Sequence, residues 1–311
     1  MRLQGKTVVD YSRLNPLRSS LAIVLEWTII GLLFLVATIW SNALTLVLVV
    51  LLISTRQLAL YSLLHEGIHY HLAKSKDMND IIAKFTLSIP LAINLKRIRE
   101  IHFRHHRYLG TSMDPENVLN DYWEFQFPKK LAVLFFVMAS DLIGLNFVRY
   151  KVRKFFTKVQ VKSFYFLTYG PTLLAILVIN IFVFTSVRLC SWQLVLIIPF
   201  IWIAAYIGPF QLLMRLRLCY EHLHLDSDKS SKARTLVLGN LTSMLFAPHN
   251  LAFHNEHHLY PYVPFYHLKD LHNNLIRENS SYLNNLNTTN SYFESLSFLF
   301  REKGGSSNQK A

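Results

Sequence analysis

Three tight clusters of histidine stand in this chain: His65 and His69 in HEGIH, His102, His105 and His106 in HFRHH, and His254, His257 and His258 in HNEHH. The second and third share the spacing H-x-x-H-H. Imidazole is a ligand for iron, copper, nickel and zinc alike, and on a helix residues i, i+3 and i+4 lie on one face. Each cluster therefore presents several nitrogens in one direction. The eight nitrogens exceed what one ion takes, since zinc uses four ligands and often only three from protein. They suit two ions. A ninth candidate is His222, placed just beyond an apolar run and preceded by Glu221. What favours iron is the setting, a redox-capable pair at the mouth of a membrane bundle.

Other readings compete for the same residues. HEGIH matches the zinc-peptidase pattern H-E-x-x-H, but a protease leaves both H-x-x-H-H clusters without a task. The carboxylate type of di-iron bundle uses E-x-x-H repeats, which do not supply these clusters. A structural site is normally closed and four-coordinate. His71, His224, His267 and His272 fall outside the repeated spacing and read as surface histidines.

The elements that must carry the clusters are apolar. Of 311 residues, 52% are hydrophobic and 16% charged, against about 25% charged in a soluble domain, and the mean hydropathy is +0.26. A net charge of +13 fits nucleic acid or an anionic membrane surface; the apolar runs decide for membrane and against nucleic acid. The two cysteines, Cys190 and Cys219, form no CxxC site. Residues 21–40 have the length of a membrane span, with Glu26 close enough to one end to reach the headgroups. A helix over 43–72 crosses in its first half and carries His65 roughly 13 Å past Arg56 into the aqueous phase. Segments 165–187 and 190–212 supply two more spans, with Arg215 and Arg217 at the headgroup level. Segment 81–95 is short and reads as re-entrant or interfacial. Segment 131–147 contains Asp141 and is placed flat at the interface, because all clusters must share one side. That choice puts the basic run 149–162 on the side of the N-terminus, as the positive-inside rule asks. From Pro264, residues Phe265, Leu268, Leu271, Leu275 and Ile276 mark an amphipathic helix.

The expected architecture is an all-α integral membrane protein. It has four transmembrane helices in two hairpins, and a cytoplasmic helical cap carrying the histidine clusters. Residues 1–20 form a cytoplasmic N-terminal segment, 21–278 the catalytic domain, and 279–311 a polar, flexible C-terminal tail. Both termini and the active site face the cytoplasm.

HEGIH, HFRHH and HNEHH resemble the three histidine boxes of the membrane fatty acid desaturase and hydroxylase superfamily, over roughly residues 40–265. Box order, spacing and the intervening hydrophobic segments agree, and the run HHRYLGTSMDPE (105–116) is similar to the second box with its trailing acidic pair. The first box here is H-x-x-x-H, one of two spacings the family uses. The resemblance implies a non-haem di-iron centre with O₂ as co-substrate, and His222 stands where many members have a further ligand. In relatives an asparagine enters through water, and Asn250 holds the corresponding place before the third box. Carboxylates that orient ligand imidazoles would be Asp114, Glu116, Glu221 and Glu256. The sequence holds no HPGG-type cytochrome b5 domain, so electrons are expected from a separate ferredoxin-like or cytochrome b5-like donor. Arg97, Arg99, Arg104 and Arg107 would meet a substrate or lipid phosphate, or serve as positive-inside charge. The implied reaction is desaturation of a fatty acyl chain in a membrane lipid or acyl thioester. Hydroxylation or ketolation of a lipid or carotenoid by the same ligands is the alternative. A lipid-binding or scaffold protein that had lost the activity would lack cluster histidines, and none is missing.

Overall fold

In a computed structural model of the chain, the structure describes residues 2–3, 6–116, 122–157, 192–223, 225, 229, 231–278, 280–297 and 299–300. The expected span 165–187 and His224 lie outside the described residues. Helix α1, Pro16–Ile39, starts on Asn15, whose side chain accepts from Arg18 N–H, with Pro16 in the first turn where its missing donor is harmless. Asn42 caps α2, Ala43–Ile68, in the same way. The two helices pack through Ile23, Ile30 and Ala37 against Val49, Ile53 and Leu60. Their outer faces carry Leu21, Val24, Leu25, Leu32 and Leu35, and Leu44, Val47 and Leu48, all exposed, as lipid contact requires. Among the described residues, Pro16–Ile39, Ala43–Ile68 and Leu196–His222 are long and apolar enough to cross a membrane.

Helix α2 ends at Ile68, four residues before the end expected from sequence. Tyr70 adopts φ +63° and His71 N–H turns back to Glu66 O at 2.9 Å. The freed carbonyls find side-chain donors: Asn79 Nδ2 and Arg99 Nη2 reach Gly67 O at 2.8 and 2.9 Å, and Arg99 Nε reaches Ile68 O at 3.0 Å. Arg99 also binds Asp80, so it is committed to this corner rather than to a phosphate. A Cβ on Gly67 would stand 2.8 Å from Ala83 Cβ, which explains a glycine inside the first box. Ala83 closes α3, Lys76–Ala83, and the chain continues through a π turn at Lys84–Ser88. Ala83, Leu87 and Leu91 sink into the α1–α2 core while Met78, Ile81 and Phe85 face outward.

Helix α4, Leu95–Tyr108, carries the second box. The apolar segment after it is two helices, α5 Leu131–Leu142 and α6 Leu145–Thr157, bent by 81°. Helices α7, Trp192–Ile207, and α8, Pro209–His222, follow. Gly208 lies between them, and a Cβ there would be 2.3 Å from Leu142 O; only glycine lets this break cross the α5–α6 bend.

The charges read from sequence as interface markers are internal. Glu26 is 3% exposed and pairs with Arg56 Nη1 at 3.1 Å and His249 Nε2 at 2.9 Å. Asp141 is 1% exposed; it is bound by Arg215 and by Asn146 Nδ2 at 2.9 Å. Arg217 binds Glu221 at 2.6 Å. A buried charge without a partner is strongly destabilising, and each of these has one on another helix or one turn away.

Beyond α8, a strand β1, Arg234–Leu236, pairs in parallel with β2, Asn287–Thr289. Short helices α9, Asn240–Phe246, and α10, His254–Leu259, precede α11, Phe265–Glu278. In α11, Phe265, Leu268, Leu271 and Leu275 are buried as the periodicity predicts, while Ile276 is half-buried. The described part of segment 279–311, read from sequence as a flexible tail, has defined structure. Ser280–Asn285 and Tyr292–Ser297 are helical, β2 lies between them, and Tyr292 and Leu299 join the core around α8.

Candidate metal centre

The first box sits at the end of α2, with His65 in its last turn and His69 just past it. The second lies along α4 and the third along α10. His222 is the last residue of α8. These four helix ends bring nine histidines together in two groups. His65, His69, His102, His106 and His257 form one, and His105, His222, His254 and His258 the other; within each group one nitrogen per ring lies within 4.8 Å of all the rest. Each H-x-x-H-H box is therefore divided. Its i, i+4 pair enters one group and its middle histidine the other. Sequence spacing had put all three on one face.

The nitrogens converge at ligand-like separations. His102 Nε2 lies 2.9 Å from both His69 Nε2 and His106 Nε2, and His257 Nε2 lies 3.0 Å from His106 Nε2. In the second group, His254 Nε2 is 3.0 Å from the Nε2 atoms of His222 and His258. The groups adjoin, with the His106 and His258 ring centroids 4.3 Å apart. A metal–imidazole bond is about 2.1 Å, so nitrogens on one ion stand within about 4.2 Å of each other. One ring nitrogen offers either a proton or a lone pair, and His65 Nε2 is buried with no hydrogen-bond partner. A cation fits such a donor set, and a proton network leaves it unsatisfied. Burial first, and neighbouring imidazoles second, hold His69, His102, His254, His257 and His258 well below the ordinary imidazole range, and push His106 down to about 4. The rings are thus kept neutral, the form that binds metal.

The carboxylates named from sequence divide. Asp114 places both oxygens 3.0 Å from His105 Nδ1, fixing the tautomer that leaves Nε2 for the metal, and Glu116 stands 3.7 Å from the same nitrogen. Glu221 gives one oxygen to Arg217 and holds the other 3.5 Å from His254 Nε2. Glu256 points away, to Thr235, His272 and Tyr282. Asn250 is in neither group; its Nδ2 donates to Phe265 O at 2.8 Å. His222 Nδ1 rests on Lys232 O at 3.2 Å.

Sequence reasoning missed three histidines. His71 and His272, read as surface residues, are 4% and 3% exposed and bind Glu66 and Glu256; His249 binds Glu26. His71 and His249 lie within a few residues of a box, which is their one sequence signal, and His272 has none. The Glu66 carboxylate accepts from His71 and from the Phe265 N–H and so is not the metal-facing base that a zinc peptidase needs.

A cavity of about 330 Å³ opens beside the four-histidine group, within the usual range for ligand sites. His105, His222 and His254 line it, with only His102 from the other group; Tyr61, Phe147, Met214 and Leu218 form part of the wall. The arginines it touches, Arg215 and Arg217, are paired with Asp141 and Glu221. A sequence model of the family described as fatty acid desaturase matches residues 40–288. No curated protein matches the chain.

Proposed function

The chain belongs to the fatty acid desaturase family, and from that premise we propose that it catalyses O₂-dependent desaturation of a fatty acyl chain at a non-haem di-iron centre. The acyl group is carried by a membrane lipid or a thioester. The observation that carries the reading is the pair of converging imidazole groups beside a cavity. His65, His69, His102, His106 and His257 would hold one ion, and His105, His222, His254 and His258 the other. Bound iron supplies the O₂ chemistry that side chains cannot.

The protein's own residues position and exclude. Asp114 holds His105 in one tautomer. Tyr61, Phe147, Met214 and Leu218 give the alkyl chain an apolar wall. Arg215 and Arg217 beside it are each paired with a carboxylate, Asp141 and Glu221. A separate ferredoxin-like or cytochrome b5-like protein supplies electrons. The centre and both termini face the cytoplasm, as does residue 155 on α6. A cysteine at 155 that reacts only from outside sealed vesicles overturns that orientation.

The test is expression in a host of known lipid composition, followed by mass spectrometry of its fatty acids. Loss of two hydrogens from an acyl chain, abolished in His257→Ala, is the expected result. Gain of an oxygen atom makes the enzyme a hydroxylase or ketolase instead. An unchanged profile in several hosts with an electron donor co-expressed overturns the proposal.

A further inference from the structure

The carboxylates inside the first and third boxes turn away from the metal nitrogens, and both meet one helix that contributes no ligand. Glu66 follows His65. Its Oε2 accepts from the backbone N–H of Phe265, the first residue of α11, at 3.0 Å, and from His71 Nδ1 at 2.9 Å. Glu256 stands between His254 and His257. Its Oε1 accepts from His272 Nδ1 at 2.5 Å, roughly two turns along α11, and from the Tyr282 hydroxyl at 2.5 Å; its Oε2 takes the Thr235 hydroxyl at 2.7 Å. Glu66 and Glu256 are 3% and 0% exposed.

A third tie runs from Asn250, just upstream of the third box, to the carbonyl of Phe265. Asn250 and His249 both adopt left-handed backbone, φ +58° and +54°, a conformation that non-glycine residues keep only where their surroundings over-determine it. Here the surroundings are Phe265 O for Asn250 and Glu26 for His249.

We propose that α11 is the gauge that sets the first box against the third, with Glu66 and Glu256 as its positioning residues. The inference rests on the reading of the two imidazole groups as iron sites. The division of the boxes makes the two carboxylates unequal. Both first-box histidines serve the five-histidine group, where His257 lies with its ring centroid 4.3 Å from His65 and 4.6 Å from His69. The four-histidine group contains no first-box residue. Loosening Glu66 from α11 shifts His65 and His69 against His257 and opens the five-histidine site alone. Loosening Glu256 moves the whole third box, which feeds both sites.

The experiment titrates Fe(II) into purified full-length protein without oxygen and counts iron per chain, with Mössbauer spectra to separate the sites. Wild type takes up two ions. Glu66→Gln keeps one ion at wild-type affinity and holds the other about 10-fold more weakly, the size of effect expected when the hydrogen bonds to a buried charge that fix α11 are weakened. Glu256→Gln weakens both. His272→Gln, which keeps an N–H donor for Glu256, restores most of what His272→Ala loses. A general folding defect would instead lower both sites together in Glu66→Gln, and that result overturns the inference, as does wild-type affinity at both sites. If Glu66→Gln does not fold, His71→Ala, which removes one of the two donors to Glu66, is read by the same criteria. Wild-type protein without two ions overturns the iron reading and this inference with it. Two ions held equally well by wild type and Glu66→Gln overturn this inference alone.

Discussion

In the five-histidine group, the i, i+4 pair of the second box, His102 and His106, meets the middle histidine of the third, His257. In the four-histidine group the roles reverse: the third-box pair His254 and His258 meets the middle histidine of the second, His105. The difference lies in what completes each set. The first group gains a second i, i+4 pair, His65 and His69, at the end of a helix that runs through the apolar core. The other gains His222 alone, and it is this group that borders the cavity. Two short motifs of identical spacing thus make two unlike sites. The crowded one is framed by helices. The sparser one is held by hydrogen bonds that His105 and His222 donate to the Asp114 carboxylate and the Lys232 carbonyl, and it lies against the space where substrate would sit.

The contrast is broken most severely by removing single ligands from each side. His69→Ala leaves four imidazoles in its group, the number the other group has natively. His222→Ala leaves three. We expect His222→Ala to lose one ion per chain and all turnover, and His69→Ala to retain both ions with reduced turnover. Iron content and acyl-product analysis at matched protein levels measure both. Equal metal loss in the two variants would show that the groups are not the unequal sites described. His224→Ala serves as the control, with neither property expected to change.

A smaller effect is expected from Asp114→Asn. The amide keeps the shape but no longer holds the proton on His105 Nδ1 with a full charge. Loss of such a partner weakens metal binding about 10–100-fold, here at the four-histidine site only. An affinity change at the five-histidine site, or none at either, would place the control of His105 elsewhere.

How far these features were legible in sequence follows from the range of each interaction. Helical spacing is local, so the boxes and the buried stripe of α11 were visible in HFRHH, HNEHH and the 265–275 pattern. His222 was visible because a helix leaving an apolar run must go somewhere. The division of each box was not visible, since it depends on a second helix approaching between the i+3 and i+4 positions. Nor were the buried ion pairs. Glu26, Arg56, Asp141, Arg215 and Arg217 each interrupt or border an apolar run, and a lone charge there reads as a headgroup marker. Their partners are 30 residues away for Glu26–Arg56, 74 for Asp141–Arg215 and 223 for Glu26–His249. Only Arg217–Glu221 has local spacing. His71 and His272 were misread for the same reason: histidine on a basic stretch looks exposed until the carboxylate that buries it is placed.

The subtlest expected difference concerns acid, and it is cleanest in metal-free protein. Outside the membrane-spanning segments, the five-histidine group contains four imidazoles with lowered proton affinity, His69, His102, His106 and His257; the other contains His254 and His258. An unfolded imidazole takes its proton near pH 6.5, whereas His106 in the fold does so at about 4. Between those values the unfolded chain binds more protons than the folded one, so stability falls as pH falls through this window and levels off below it. For His106 alone the limit is about 3 kcal/mol. Metal-free protein in detergent should therefore melt at progressively lower temperature from about pH 6.5 to about pH 4. His106→Gln should flatten that slope, because the glutamine has no proton to take up in either state. Iron-loaded protein should hold its melting temperature further into acid, since a proton must displace a metal–nitrogen bond. The first ion released on acidification should be the one at the four-histidine site, which has one nitrogen fewer. Release of the five-histidine ion first, identified by its Mössbauer signature, would mean that crowding of neutral imidazoles outweighs ligand number. A melting temperature independent of pH across the window would mean that the imidazoles are already solvated in the metal-free fold.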